Sequence, residues 1–230
     1  MKSNFNQLAY LLFFTMFLNY SCESENEPSY KPPKTGEFPG PQYGTNWEEY
    51  TFTYNIHKPW NLNLDERYSY DKDSQEHTFM ILKDDEPFKE GDHTSPRCEM
   101  RIINDYTEGN QQFEADYYIY PGSDHPVIMQ VFGTSLAINI KAYNENGGTL
   151  KWFDTYNIKT NVYGKWIHLN VVHLFDERSI MVYIDGLKLG TFKVKEDAPS
   201  YYFKCGVYTC ISDTSKVKIK NIKCYKQVSE

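Results

Sequence analysis

The chain has 230 residues, enough for one domain with one sizeable core once its ends are set aside. Aromatics make up 17% of it, including 20 tyrosines, so it can bury enough surface to fold without a disulfide framework. A net charge of -7 with no long basic run excludes a nucleic-acid partner, although a local cluster of Arg and Lys can still dominate one cleft.

The N-terminus reads as an export signal. Lys2 supplies the positive start, and Leu8 to Leu18 is an apolar run of 11 residues, too short to span a bilayer and suited to a signal core. Ser21-Cys22 follows and resembles a bacterial lipobox, with Tyr20 an unusual but tolerable neighbour. The alternative is a plain secretory signal with a leftover Cys; we expect residues 1–22 to be a lipoprotein signal ending at a lipidated Cys22. Residues 23–46 are acidic, Pro-rich and poor in aliphatics, a flexible tether, and residues 47–228 form the domain. The expected place is the outer membrane, reached through the lipid anchor only.

From Trp47 onward the pattern is strand and turn, with no long amphipathic helix and no internal repeat. Asp84-Asp85-Glu86 reads as a solvated turn before Pro87. Between Thr94 and Ile102, alternation sets Arg97, Glu99 and Arg101 on one face, with Cys98 and Met100 toward the core. Two guanidinium forks about a carboxylate suit carboxylate binding, or form a surface salt-bridge ladder. Phe113, Ala115, Tyr117 and Ile119 alternate with Gln112, Glu114, Asp116 and Tyr118. In Val127 to Gly133, Gln130 shares a face with Ile128 and Phe132 and can donate to a carboxylate.

Asn146-Gly147-Gly148 and Asp185-Gly186 read as tight turns, the second after a strand-turn-strand run over Trp166 to Ile184 that is common in lectin-like jelly rolls. In Tyr201 to Cys210, Tyr202, Lys204 and Tyr208 share a face, and Gly206 leaves room for a ligand to approach. Lys216 to Cys224 alternates until its phase slips near Lys220-Asn221, which a bulge explains. Cys98, Cys205, Cys210 and Cys224 match no zinc spacing; a Cys210–Cys224 disulfide and buried free thiols both remain open. Many short strands at regular spacing predict an all-β sandwich or barrel.

Three segments carry a specific resemblance. Arg97-Cys98-Glu99-Met100-Arg101, Gln130-Val131-Phe132 and Tyr202-Phe203-Lys204-Cys205-Gly206-Val207-Tyr208-Thr209-Cys210 are similar, in this order, to the signatures Arg-x-Glu-x-Arg, Gln-Ile/Val-His and Tyr-Phe-Lys-Ala-Gly-x-Tyr-x-Gln of the alginate lyase superfamily, polysaccharide lyase family seven and its relatives. IMQVFG, FKCGVY, HKPWNL and YIDG also resemble its plant citrate-binding branch. The resemblance spans residues 47 to 227 and implies a concanavalin-like jelly-roll β-sandwich whose concave sheet binds substrate.

It also implies β-elimination on a uronic acid polymer. That reaction needs a neutralised carboxylate beside C5, a base for the C5 proton and an acid for the leaving O4. By resemblance, Arg97 and Gln130 neutralise the carboxylate and Tyr208 is the acid. Lys204 and Arg101 bind neighbouring carboxylates, Glu99 orients the arginines, and Tyr202 joins the substrate-binding face. No cofactor and no metal are implied; the partner is an acidic polysaccharide, and the protein is expected to be a monomer.

Two positions depart from the signatures: Phe132 replaces the histidine base, and Cys210 replaces the final Gln. In guluronate the C5 proton and O4 lie on opposite faces, so base and acid are separate groups. In mannuronate and glucuronate they share a face, and one tyrosinate, favoured by Arg97, Arg101 and Lys204, can serve both steps. The expected substrate is therefore of glucuronate or mannuronate type. His57, His77 and His93 are alternative bases, and of His168 and His173, on opposite faces of one strand, at most one faces the cleft. Trp60, Tyr117 and Trp152 offer stacking surfaces or core packing. The competing functions are a non-catalytic binder of acidic sugar or small carboxylates and, distantly, a hydrolase using Glu99 and Glu114, for which the flanking arginines make Glu99 a poor proton donor.

Overall fold

Short strands with one apolar face must bury it against another sheet, and here they do so in two antiparallel layers. The computed structural model describes residues 40–134, 136–194 and 198–229. In chain order the strands are β1 (Trp47–Glu49), β2 (Thr53–His57), β3 (Tyr68–Asp71), β4 (Glu76–Leu82), β5 (Arg97–Ile103), β6 (Gln111–Ile119), β7 (Val127–Gly133), β8 (Leu136–Tyr143), β9 (Thr149–Trp152), β10 (Tyr156–Lys159), β11 (Trp166–Leu174), β12 (Ser179–Ile184), β13 (Leu187–Lys193), β14 (Tyr201–Tyr208) and β15 (Thr214–Gln227). One sheet runs β13-β12-β11-β6-β15-β4-β3, with β1 also on β15; the other runs β10-β9-β8-β7-β14-β5-β2. This is the expected jelly-roll β-sandwich.

The pleat divides each strand between core and surface. Phe113, Tyr117, Leu169 and Val171 of the first sheet meet Met100, Met129, Val131 and Phe203 of the second, each at most 1% exposed. Phe113 and Phe203 lie 5.7 Å apart between ring centroids. Burying each such side chain contributes about 1.5–3 kcal/mol. Asp185-Gly186 turns β12 into β13 with both φ positive (53° and 77°), as a two-residue hairpin of matching twist requires. The register of β15 shifts between Lys220 and Lys223, where the phase slips in the sequence.

Several expectations change in three dimensions. Tyr117 is fully buried in the core and cannot stack on a sugar. Asp85 is no solvated residue: it accepts from Arg67 Nε and Nη2 at 2.7 and 2.6 Å and from the Leu82 amide at 2.8 Å. Glu114 lies on β6, in the sheet opposite Glu99, so the two cannot form a glycosidase pair. His168 and His173 lie on β11 of that same sheet, and neither reaches the opposite outer face. His168 instead binds Asp116 at 2.8 Å and faces Glu114 at 3.5 Å; burial opposes its charge, but these carboxylates raise its pKa overall. His173 Nδ1 pairs with the Tyr106 hydroxyl at 2.8 Å, and burial lowers its pKa to about 4.

The four cysteines from Cys98 onward are free thiols, all but Cys210 buried. Of the tether, residues 40–46 are described: the Gln42 amide donates to Gln112 Oε1 at 2.8 Å, and Tyr43 packs with Trp47 against Val172 and Met181. Leu8 to Leu18 and Cys22 lie outside the described residues. Among the described residues no helix is long and apolar enough to cross a membrane.

Gly206 is a positional requirement of this fold. Its φ is 137°, and a Cβ there would meet Glu99 Cα at 2.6 Å and the Cys98 carbonyl oxygen at 2.7 Å. The missing side chain therefore admits the neighbouring strand β5 rather than a ligand. Gly206→Ala is expected to destabilise the domain by about 2 kcal/mol or more, read as a lower urea midpoint. His173 sets a pH dependence. Its folded pKa, near 4, lies below the unfolded value, so its neutral burial favours folding above about pH 6.5 and that contribution is lost as pH falls toward 4. Thermal melts of His173→Asn should show a smaller loss of stability over that window than the parent.

Candidate active site

The outer face of the second sheet gathers polar side chains from four adjacent strands. β14 lies between β7 and β5, with β2 beyond β5. In register, Gln130 faces Lys204 and Lys204 faces Arg101; Gly206 faces Glu99, Glu99 faces His57, and Tyr208 faces Arg97. Because successive residues alternate faces, these side chains rise together while Cys98, Met100, Phe203 and Cys205 point into the core.

Glu99 anchors the group. Its side chain is 3% exposed, and Oε1 pairs with Lys204 Nζ in a short contact and with Arg97 Nη1 at 3.4 Å. Burial pulls the Lys204 pKa down, and the Glu99 carboxylate opposes that shift. The Arg97 guanidinium lies 4.3 Å over the Tyr208 ring, and its Nε is enclosed without a hydrogen-bond partner. Gln130, 3% exposed, also keeps its Oε1 without a partner. Polar groups left open at a buried surface are poised to take a ligand's polar atoms.

A cleft of about 330 Å³ opens over these groups. It is lined by Arg97, Gln130, Tyr202, Lys204 and Tyr208 from the predicted set, with Phe132, His57, Phe88, Lys89, Asp92 and Thr94 as walls. Arg101 stands apart: its fork is bound to Asp105 at 2.6 and 2.8 Å, and it lies 3.9 Å over Tyr202. Burial raises the Tyr202 pKa, and Arg101 opposes this. Glu99 lies beneath the cations as their counter-ion and serves Arg97 and Lys204 rather than Arg101.

Of the alternative histidines, His57 alone lines the cleft. His77 is bonded to Tyr68 at 2.8 Å between β3 and β4, and His93 sits exposed in the loop before β5. Trp60 is 43% exposed, and its amide donates to the Pro87 carbonyl, next to Phe88 in the cleft wall. Trp152 is half-buried and stacks on Phe192 at 4.6 Å. Phe88, Lys89 and Asp92 were not singled out in the sequence, because only the folding back of their loop brings them to the cleft. A cavity of about 420 Å³ between His173, Phe175 and Tyr201 holds none of the predicted residues but the candidate base His173. Among the described residues, no group of three or more His, Cys, Asp or Glu side chains is arranged to hold a metal ion.

Comparison with known proteins agrees with this arrangement. A family model described as "Alginate lyase" matches residues 51–226. A citrate-binding protein from Hevea brasiliensis is 36% identical over 179 residues, covering 74% of this chain and 72% of that protein. Among solved structures, an alginate lyase of polysaccharide lyase family 7 superposes with a TM-score of 0.59 at 20% identity, covering 79% of this chain and 95% of the other. An alginate lyase from Corynebacterium sp. superposes with a TM-score of 0.56 at 17% identity, covering 70% and 81%. With most of its domain matched by the family model and a sandwich shared with these enzymes, the chain belongs to the alginate lyase family.

Proposed function

We propose that this protein is a polysaccharide lyase that cleaves a uronic-acid-containing polysaccharide, of glucuronate or mannuronate type, by β-elimination. The observation that carries the reading is the gathering of Arg97, Gln130, Lys204 and Tyr208 around one cleft. A uronate carboxylate set against the Arg97 guanidinium and the Gln130 side-chain NH2 loses its charge repulsion toward a developing carbanion at C5. Lys204 adds positive charge while held by Glu99. Tyr208 supplies the proton-transfer group, with the Arg97 guanidinium 4.3 Å over its ring.

Phe132 directs the choice of substrate. Its side is apolar, with its ring 5.7 Å from Tyr202, so strand β7 brings no base. A single tyrosine then takes the C5 proton as tyrosinate and returns it to O4, which requires both on the same face of the sugar. The second reading is a non-catalytic binder of acidic polysaccharide or small carboxylates, favoured by the Hevea citrate-binding relative. The same cations serve it, without the proton transfer.

A panel of purified uronic acid polymers separates the readings. Ultraviolet absorbance from an unsaturated sugar end is expected, faster on polymannuronate or polyglucuronate than on polyguluronate. Retarded mobility without new absorbance would favour the binder. Tyr208→Phe is expected to lower turnover at least 100-fold while sparing most binding, about the share that a positioned acid–base group supplies. We also propose that Cys22 is lipidated and tethers the domain to the outer membrane, on the strength of the Leu8 to Leu18 run and Ser21-Cys22. Cys22→Ala should move the protein from the membrane fraction to the soluble fraction.

A further inference from the structure

β-Elimination on a sugar whose C5 proton and O4 lie on opposite faces needs a base other than the acid, and the cleft contains one. Glu99 and Lys204 are engaged with each other, and Phe132 is apolar. His57 remains. It stands at the end of β2, directly across from Glu99, and its ring stacks on Phe88 at 4.2 Å with planes 21° apart. Its side chain is 19% exposed. Glu99 Oε1 faces Nδ1 from 3.9 Å, and Nδ1 is enclosed without a hydrogen-bond partner.

The charged groups acting on this ring are the Glu99 carboxylate and the cations Lys204, Arg97, Arg101 and Lys89. Burial first, then these four cations, lower its pKa to about 4. At neutral pH the imidazole is therefore unprotonated. A carboxylate facing Nδ1 favours the tautomer with its proton there and leaves the Nε2 lone pair as the basic site. His57 and Tyr208 flank β5 from either side, on β2 and β14, so their strands stand two spacings apart, roughly 9.5 Å. Their side chains rise from the same face and line one cleft of about 330 Å³.

We propose that His57 is the C5 base for opposite-face uronates such as guluronate, with Tyr208 as the acid, so that one cleft runs two routes. In this route Nε2 takes the C5 proton and the C–H electron pair becomes the C4–C5 double bond. The C4–O4 bond breaks, and the Tyr208 hydroxyl proton passes to O4. The resulting imidazolium and tyrosinate are restored by proton exchange through water. Same-face uronates use Tyr208 alone and leave His57 idle. The assignment rests on the lyase reading.

The experiment compares the parent with His57→Ala on polyguluronate and polymannuronate, following unsaturated ends. The parent is expected to cleave polyguluronate measurably but more slowly than polymannuronate. His57→Ala should lower the polyguluronate rate at least 100-fold and by far more than the polymannuronate rate, with far-ultraviolet circular dichroism like the parent's reporting that the variant is folded. Added imidazole should restore part of the lost rate, a rescue that a merely structural role for His57 does not give. Equal losses on both polymers, or a parent that cleaves polymannuronate and never polyguluronate, would overturn the assignment while leaving the lyase reading intact. No unsaturated product from any uronic acid polymer would overturn both.

Discussion

The buried carboxylate of Glu99 is the constraint on which the site depends. An ionised carboxylate enclosed at 3% exposure costs several kcal/mol unless cations meet it, and Lys204 and Arg97 do so from two different strands. That obligation fixes the cations in place before any ligand arrives. It also fixes the register of β5 against β14, where Glu99 faces Gly206 and only a residue without a Cβ lets the strands approach. Core packing beneath and charge pairing above thus select the same strand alignment.

Buried polar groups alone do not make a site here. The opposite sheet carries Glu114, Asp116, His168 and Asn170 on its outer face, each at most 4% exposed. There the His168 ring lies between Asp116 and Glu114, Asn170 also reaches Glu114 and Tyr225 donates to it at 2.6 Å, and Asn221 donates to Asp116 at 2.7 Å. There the polar groups are largely turned toward one another. In the cleft, the cations Arg97 and Lys204 outnumber the Glu99 carboxylate beneath them. An excess of positive charge suits an anion from outside.

That arrangement is common ground between a lyase and a carboxylate binder. Holding a carboxylate requires Arg97, Gln130 and Lys204; breaking a glycosidic bond further requires a group that moves protons within reach of C5 and O4. Tyr208 and His57 stand on either side of β5, the two rings to which the proposed lyase reading assigns proton transfer.

The sequence by itself determined the β-sandwich, the turn at Asp185-Gly186 and the bulge beside Asn221, because alternation, turn chemistry and phase are local properties of the chain. It also pointed to Arg97, Gln130, Lys204 and Tyr208, through the resemblance of three segments to the alginate lyase signatures. What only the tertiary structure decided is which residues face one another across strands. Arg101 shares the periodicity of Arg97 yet is bound by Asp105, and Glu114 and His168 belong to the other sheet. Among the histidines, His57 reaches the cleft because β2 pairs with β5, while His77 is held by Tyr68 beside β3. Strand order and register are long-range outcomes of packing, so no spacing along the chain distinguishes these cases.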